Sequence, residues 1–413
     1  MTGQADSERD KLRWTMLLLG TVSHVIGAGG QYAINTLAPF YQSDLGLSRA
    51  QIGMFFTAFY LGMAALSFAA GWLADRLGVR AITLAGHLAL GVFVIAAAFA
   101  PSFAWAFTIF FFAGLGYSFL NPASTRGVME WFTREERATA MGIKQTGVPI
   151  GGVLTALVAP SLVLIAGWRE SFAAMGALNL AFGFFFWSLW REPDDAPYAA
   201  PAHASTPHHR PAPAPFRARD LLSLSFGTAL MLIGQMALIT YVPLYLKETR
   251  GLSPYWASQA LALTQLGGMI GRVGWGVVSD RVFHGARKVV LVLIGFISTA
   301  LTLTLGILPG GASLWAVLPL IFFAGVCLVG YQGVSYALTA EIAGHGRTGA
   351  ALGLLITFNS VGTIIGTPLF GYLVDVTGTY AAAWSALAAV ILSGILAMLF
   401  FLEEPRTRAD VPV

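Results

Sequence analysis

A chain of 413 residues with 56% hydrophobic and only 11% charged side chains, and a mean hydropathy of +0.70, is too apolar to remain in water as a folded domain. Its net charge of +4 needs no nucleic-acid partner, and its single cysteine, Cys327, rules out a disulfide framework. The composition is that of an all-α membrane protein.

Apolar stretches, each long enough to cross a hydrocarbon core of about 30 Å, follow one another almost without pause. The pattern predicts about twelve transmembrane helices, over 14–40, 50–74, 81–100, 104–131, 138–166, 170–190, 220–246, 255–279, 288–308, 313–341, 348–374 and 380–402. The first thirteen residues are polar and basic, and the run behind them is too long for a cleaved signal peptide, so it is read as the first span. Residues 191–219, rich in Pro, Ala and His, cannot form a core and are read as a cytoplasmic linker. The linker separates an N-terminal six-helix bundle, 14–190, from a C-terminal six-helix bundle, 220–402. Its His208 and His209 are read as solvated side chains rather than a metal site.

Most of the 24 Lys and Arg fall on the side that holds both termini. Arg49, Arg169, Lys247 and Arg250 fall on the other side, and Arg126, Lys144 and Arg272 inside spans. By the positive-inside rule both termini are cytoplasmic, in a multi-pass protein of the cell membrane, the inner membrane of a bacterium.

The two bundles repeat each other. Gly46, Leu47 and Ser48 match Gly251, Leu252 and Ser253; Gly62 matches Gly267; Gly71 matches Gly276; and Asp75 and Arg76 match Asp280 and Arg281, all at one interval. After a drift of six residues a second constant interval pairs FFAG at 111–114 with FFAG at 322–325, Glu130 with Glu341, Gly142 with Gly353 and Gly151 with Gly362. With six spans in each copy, the repeats share one orientation in the membrane.

GWLADRLGVR at 71–80 resembles the loop signature of the major facilitator superfamily, and SDRVFHGARK at 279–288 resembles its weaker second copy. The resemblance covers about 14–402. It implies the two-bundle carrier fold, with a gating role for Asp75, Arg76, Arg80, Asp280 and Arg281 at the cytoplasmic loops. GRVGWGVVSDR, with Arg272, also resembles the eighth span of oxalate/formate and monocarboxylate transporters, which implies a substrate-binding Arg there. NPASTRGVMEWFTREERATAMG resembles the pattern of anion:cation symporters of the same superfamily. Gly268 stands where monocarboxylate transporters place an acid before their Arg.

Arg126, Lys144 and Arg272 are cations in the spans with no acid at the depth of Lys144 and Arg272; Glu130 and Glu341 sit near the cytoplasmic ends of their spans, and Asp375 near the outer end of another. A buried charge needs a partner, so the pattern predicts an anionic substrate. Lys144 and Arg272 lie about 10–12 Å inside their spans at 1.5 Å per residue. Arg supplies a planar fork for a carboxylate and Lys a point charge. Arg126 has Glu130 at i+4 and is expected to pair with it, the two belonging to the gate.

Polar residues supply a lining: His24, Gln31 and Asn35 on one face of span one, Tyr117 and Asn121 on span four, and Gln235, Tyr241, Tyr331, Gln332, Tyr336 and Asn359 on spans seven, ten and eleven. His87, on span three, is expected to be structural. The chain has no phosphate-binding loop and implies no cofactor; nor do the spans hold paired acids, a metal-ligand cluster or a nucleophile–base set. The reading is therefore a gradient-driven carrier rather than an enzyme, a monomer in the lipid bilayer. Moving a monoanion inward against about 100 mV costs about 2.3 kcal/mol, so uptake needs a co-transported proton or an exchanged anion. His24 is the conventional proton carrier near the path. Proton-coupled uptake of a monocarboxylate by alternating access is the leading expectation. Efflux of a drug or metabolite by the same fold, or anion exchange, is the alternative.

Overall fold

The computed structural model describes residues 2–132, 136–192, 218–309, 312–343 and 348–403, and these are helical, with no strand among the described residues. In chain order the helices are α1 (Thr2–Thr36), α2 (Ala38–Asp44), α3 (Arg49–Ala97), α4 (Phe103–Tyr117), α5 (Leu120–Trp131), α6 (Arg137–Ala166) and α7 (Trp168–Leu189). They continue with α8 (Ala218–Arg250), α9 (Pro254–Val277), α10 (Arg287–Ile307), α11 (Leu314–Leu328), α12 (Gln332–Ala343), α13 (Thr348–Thr377) and α14 (Tyr380–Phe401). Residues 193–217, with His208 and His209, lie outside the described residues.

The expected spans map onto these helices with instructive departures. Spans two and three are one helix, α3, which turns at Gly78, where φ is +82° and a side chain would be strained. Span four is two helices, because Pro122 has no N–H for the carbonyl of Ser118 and the ladder opens at Ser118–Phe119. Span ten opens likewise at 329–331, where Gly330 lies against Gly271 of α9. α1 begins at Thr2, ahead of the apolar run. Among the described residues ten stretches are long and apolar enough to cross a membrane, α4 with α5 and α11 with α12 each counting as one. α1 and α9 fall short, and they are the helices that carry Ser23, His24, Gln31 and Asn35, and Gln265 and Arg272.

The chain forms two compact units. Unit 1 holds the described residues up to Leu45 and from Ala58 through α7; unit 2 holds Gly46–Thr57 and α8 to α14. In unit 1, α1 packs along α6, where Gly147 and Gly151 bring α6 against the carbonyls of Thr21 and Val25. Gly62 of α3 and Gly114 of α4 face one another's backbone at Phe111 and Phe59, an approach only small residues permit. Met16, Leu19, Val79, Ile82, Phe186 and Trp190 close an apolar cluster at one end.

Unit 2 repeats these crossings with the matched glycines. Gly362 brings α13 against the carbonyl of Ala229 on α8, and Gly267 and Gly325 bring α9 and α11 together at Phe322 and Thr264. The start of α3 belongs here too. Asp375 accepts from the backbone N–H of Arg49 (3.1 Å) and Ala50 (2.9 Å) and from Arg49 Nη1 (3.2 Å), while Arg49 Nε donates to Glu248 (2.7 Å). Tyr380 completes the cluster, its hydroxyl donating to Glu248 at 2.9 Å.

Candidate functional site

Lys144, about two turns into α6, is fully buried at 0% exposure. Its ammonium donates to Asn121 Oδ1 (2.9 Å) and Thr125 Oγ1 (2.8 Å) on α5. Both acceptors are neutral, and among the described residues no carboxylate lies within ion-pair distance of it. It is the charged member of a pocket in unit 1, lined otherwise by the hydroxyl-bearing Ser124 and by Trp131, Phe132 and other apolar residues.

His24 meets the same turn of α5. Its Nε2 lies 2.7 Å from Ser124 Oγ, and Ser124 donates to the carbonyl of Leu120 at 2.7 Å. A hydroxyl has one proton, so with that proton on Leu120 the imidazole donates through Nε2. Its Nδ1 is then a lone pair, buried and without a partner. The acid-base group and the buried cation are thus joined through residues 120–125. His87 makes a separate set, 2.8 Å from Ser23 and 3.1 Å from Asn179, which in turn donates to backbone carbonyls of α1 and α7. That ties three helices together and fits the structural role expected of His87.

In unit 2, Arg272 Nη2 donates to Gln332 Oε1 at 2.9 Å, and Gln332 Nε2 donates to Gln235 Oε1 at 3.2 Å. Arginine only donates, so Gln332 must turn its oxygen to it and its nitrogen away. Arg272 is half-buried and, like Lys144, has no carboxylate among the described residues.

The remaining expected residues fall into distinct surroundings. Gln31 donates to Tyr60 at 3.2 Å; Asn35 is buried with neither amide atom satisfied, and the same holds for Asn359 Oδ1. Tyr117 packs on Phe59 with ring centroids 5.4 Å apart. Tyr331 and Tyr241 give their hydroxyls to backbone, of Thr228 (3.2 Å) and Thr367 (2.6 Å), and Tyr336 is exposed. Arg126 donates to Glu130 at 2.5 Å and also to the carbonyl of Ala74, an internal pair of unit 1 as its i+4 spacing predicts. Arg76 stacks on Trp72 (4.0 Å); Arg80 stacks on Trp187 (4.3 Å) and donates to its carbonyl at 2.5 Å. The side chain of Asp75 lies outside the described residues. Asp280 and Arg281 sit on the exposed π turn Val278–Val282, where Asp280 is 3.4 Å from Arg287, which also pairs with Glu341.

Sequence reasoning passed over Ser124, Thr125 and Gln265. The two hydroxyls sit at helix positions where Ser and Thr usually bond only to their own backbone, and nothing in the pattern distinguished them. Gln265 is buried on α9 with both amide atoms unpaired, seven positions before Arg272 on the same face, a spacing that would have pointed to it.

Ten membrane-crossing stretches among the described residues, in two units whose sequences repeat, with a buried Lys144 and unsatisfied amides at Asn35 and Gln265, define a polytopic solute carrier. The chain belongs to the Major Facilitator Superfamily, which matches residues 20–306 and 275–412, and is an integral, multi-pass membrane transporter, not an enzyme. A probable sulfoacetate transporter of Cupriavidus necator is 27% identical over 98% of this chain and 97% of its own length. The hexuronate transporter of Bacillus subtilis is 27% identical over 98% of this chain and 99% of its own. Among solved structures, a bacterial homologue of the human lysosomal transporter Spinster superposes with a TM-score of 0.74 at 19% identity, covering 94% of this chain and 96% of that one. That likeness shows the fold.

Proposed function

We propose that this transporter takes up a small organic anion carrying a carboxylate, a monocarboxylate first of all, together with a proton. One observation carries the reading: Lys144 is wholly buried, yet among the described residues its ammonium bonds only to neutral oxygens of Asn121 and Thr125. A buried ammonium without a counter-charge is destabilising by several kcal/mol, and a protein retains one where a ligand completes it. Arg272 adds a planar donor suited to a carboxylate. The relatives named for sulfoacetate and hexuronate both handle carboxylate-bearing anions, which supports the class without choosing the compound. His24, whose free Nδ1 sits one residue contact from the Lys144 turn, is the proposed proton carrier. The charge distribution supports an inner-membrane protein with both termini in the cytoplasm.

Uptake of labelled lactate, sulfoacetate and glucuronate into proteoliposomes, with and without an imposed pH gradient, tests this. Accumulation driven by an inward proton gradient and lost in Lys144→Met is the expected result. Uptake indifferent to the gradient would replace symport with exchange, and uptake unchanged by the substitution would remove Lys144 from the site.

A further inference from the structure

Asn121 and Gln332 stand at the same position of the internal repeat, at the interval that also pairs the two FFAG motifs and Glu130 with Glu341. Each lies in the first turn behind the opening of its span, α5 in unit 1 and α12 in unit 2. Each turns its side-chain oxygen to the cation of its own unit, at 2.9 Å in both cases. Even the next hydroxyl repeats: Ser124 bonds to the carbonyl of Asn121 (3.1 Å), and Ser335 to that of Gln332 (2.9 Å).

The cations themselves do not repeat. The position matching Lys144 is Leu355, and the one matching Arg272 is Ser67. Two different helices, α6 and α9, therefore bring two different cations to one repeated amide. The amide is the common element, and its chemistry is particular. An aspartate or glutamate would neutralise the cation permanently, and an alanine would leave it with an unmet donor. A neutral sp² oxygen satisfies the donor while leaving the charge uncompensated.

We propose that Asn121 and Gln332 are placeholder ligands: each amide oxygen holds its cation at the position that a carboxylate oxygen of the substrate takes when it binds. This rests on the anion reading above. When a carboxylate arrives, the amide gives up its cation, and in unit 2 the Gln332–Gln235 hydrogen bond is the partner contact that shifts with it. The pair thereby selects against neutral ligands, which gain nothing over the amide oxygen they displace.

Melting curves of purified protein test the idea without any ligand. Asn121→Asp supplies a fixed counter-charge and is expected to melt about 3 °C or more above wild type, whereas Asn121→Ala melts below it. The gain should vanish when Lys144→Met is added. Gln332→Glu with Arg272→Gln gives the same comparison in unit 2, should one variant fail to fold. An acidic variant that melts no higher than its alanine counterpart, or a gain that survives loss of the cation, overturns the proposal. With lactate, sulfoacetate and glucuronate as probes, the acidic variants should lose any stabilisation wild type shows; an undiminished response also overturns it. A wild type that responds to none of the three, while the acidic variants keep their ligand-free gain, overturns the anion reading and the substrate half of the proposal with it, leaving the amides as neutral partners of uncompensated cations.

Discussion

Lys144 places its ammonium 2.9 Å from Asn121 Oδ1 and 2.8 Å from Thr125 Oγ1, and among the described residues no carboxylate lies within ion-pair distance of it. Stability and function pull in opposite directions at such a contact. Replacing Lys144 with Met removes a buried charge and fills similar volume, so the variant should be more stable by about 1–3 kcal/mol, within the range seen when buried charges give way to apolar groups. Transport should fall at least about 100-fold, the loss of one strong charged contact to the substrate. Thermal melting and initial uptake rates on one preparation measure both, and a Met variant that is less stable and still active would contradict the account.

His24 is joined to that turn through Ser124 at 2.7 Å. His24→Gln keeps the polar volume and loses the exchangeable proton. We expect counterflow of labelled substrate to persist and accumulation driven by a pH gradient to disappear. Accumulation equal to wild type would move the proton elsewhere, onto the substrate itself.

Asp375 holds the first turn of α3 by two backbone N–H groups and the Arg49 guanidinium. Asp375→Asn weakens these charge-assisted contacts, and a loss of about 1 kcal/mol is expected, as for a helix cap. Because Arg49 and Asp375 are partly exposed, the difference from wild type should shrink at high salt. Melting at low and high ionic strength reads both effects.

Gly62 and Gly114 each face a carbonyl of the other's helix with no room for a Cβ. Gly62→Leu or Gly114→Leu should therefore cost more than the usual 1–3 kcal/mol of an overpacked core, and the protein should fail to reach a monodisperse state. The same substitution at Gly142, whose surroundings are open, should be tolerated. Size-exclusion profiles of the three distinguish these cases.

Much of this was legible in the sequence for a physical reason. Charges are rare in apolar spans, so Lys144 and Arg272 stand out against their neighbours, and glycines that set helix crossings must recur where the crossings recur, as Gly62 and Gly267 do. The Arg126–Glu130 pair followed from its i+4 spacing. What stayed hidden depends on which helices touch. Nothing in α5 announces that Asn121 and Thr125 will meet a lysine from α6. The repeat interval joined Asn121 to Gln332, but side chains of different length masked their shared role until each was seen to face a cation. Residues 49–57 run into the rest of α3 without a break, so their packing in unit 2 leaves no mark on the hydropathy pattern. Ser118–Phe119 reads as apolar helix unless Pro122 is traced back to the carbonyl it deprives.

The most direct test is the binding of small carboxylates to purified protein by thermal shift, run on wild type, Lys144→Met and Arg272→Gln side by side. At least one carboxylate should raise the melting temperature of wild type, and each substitution should remove the rise. Equal stabilisation of all three proteins by the same anion would contradict it.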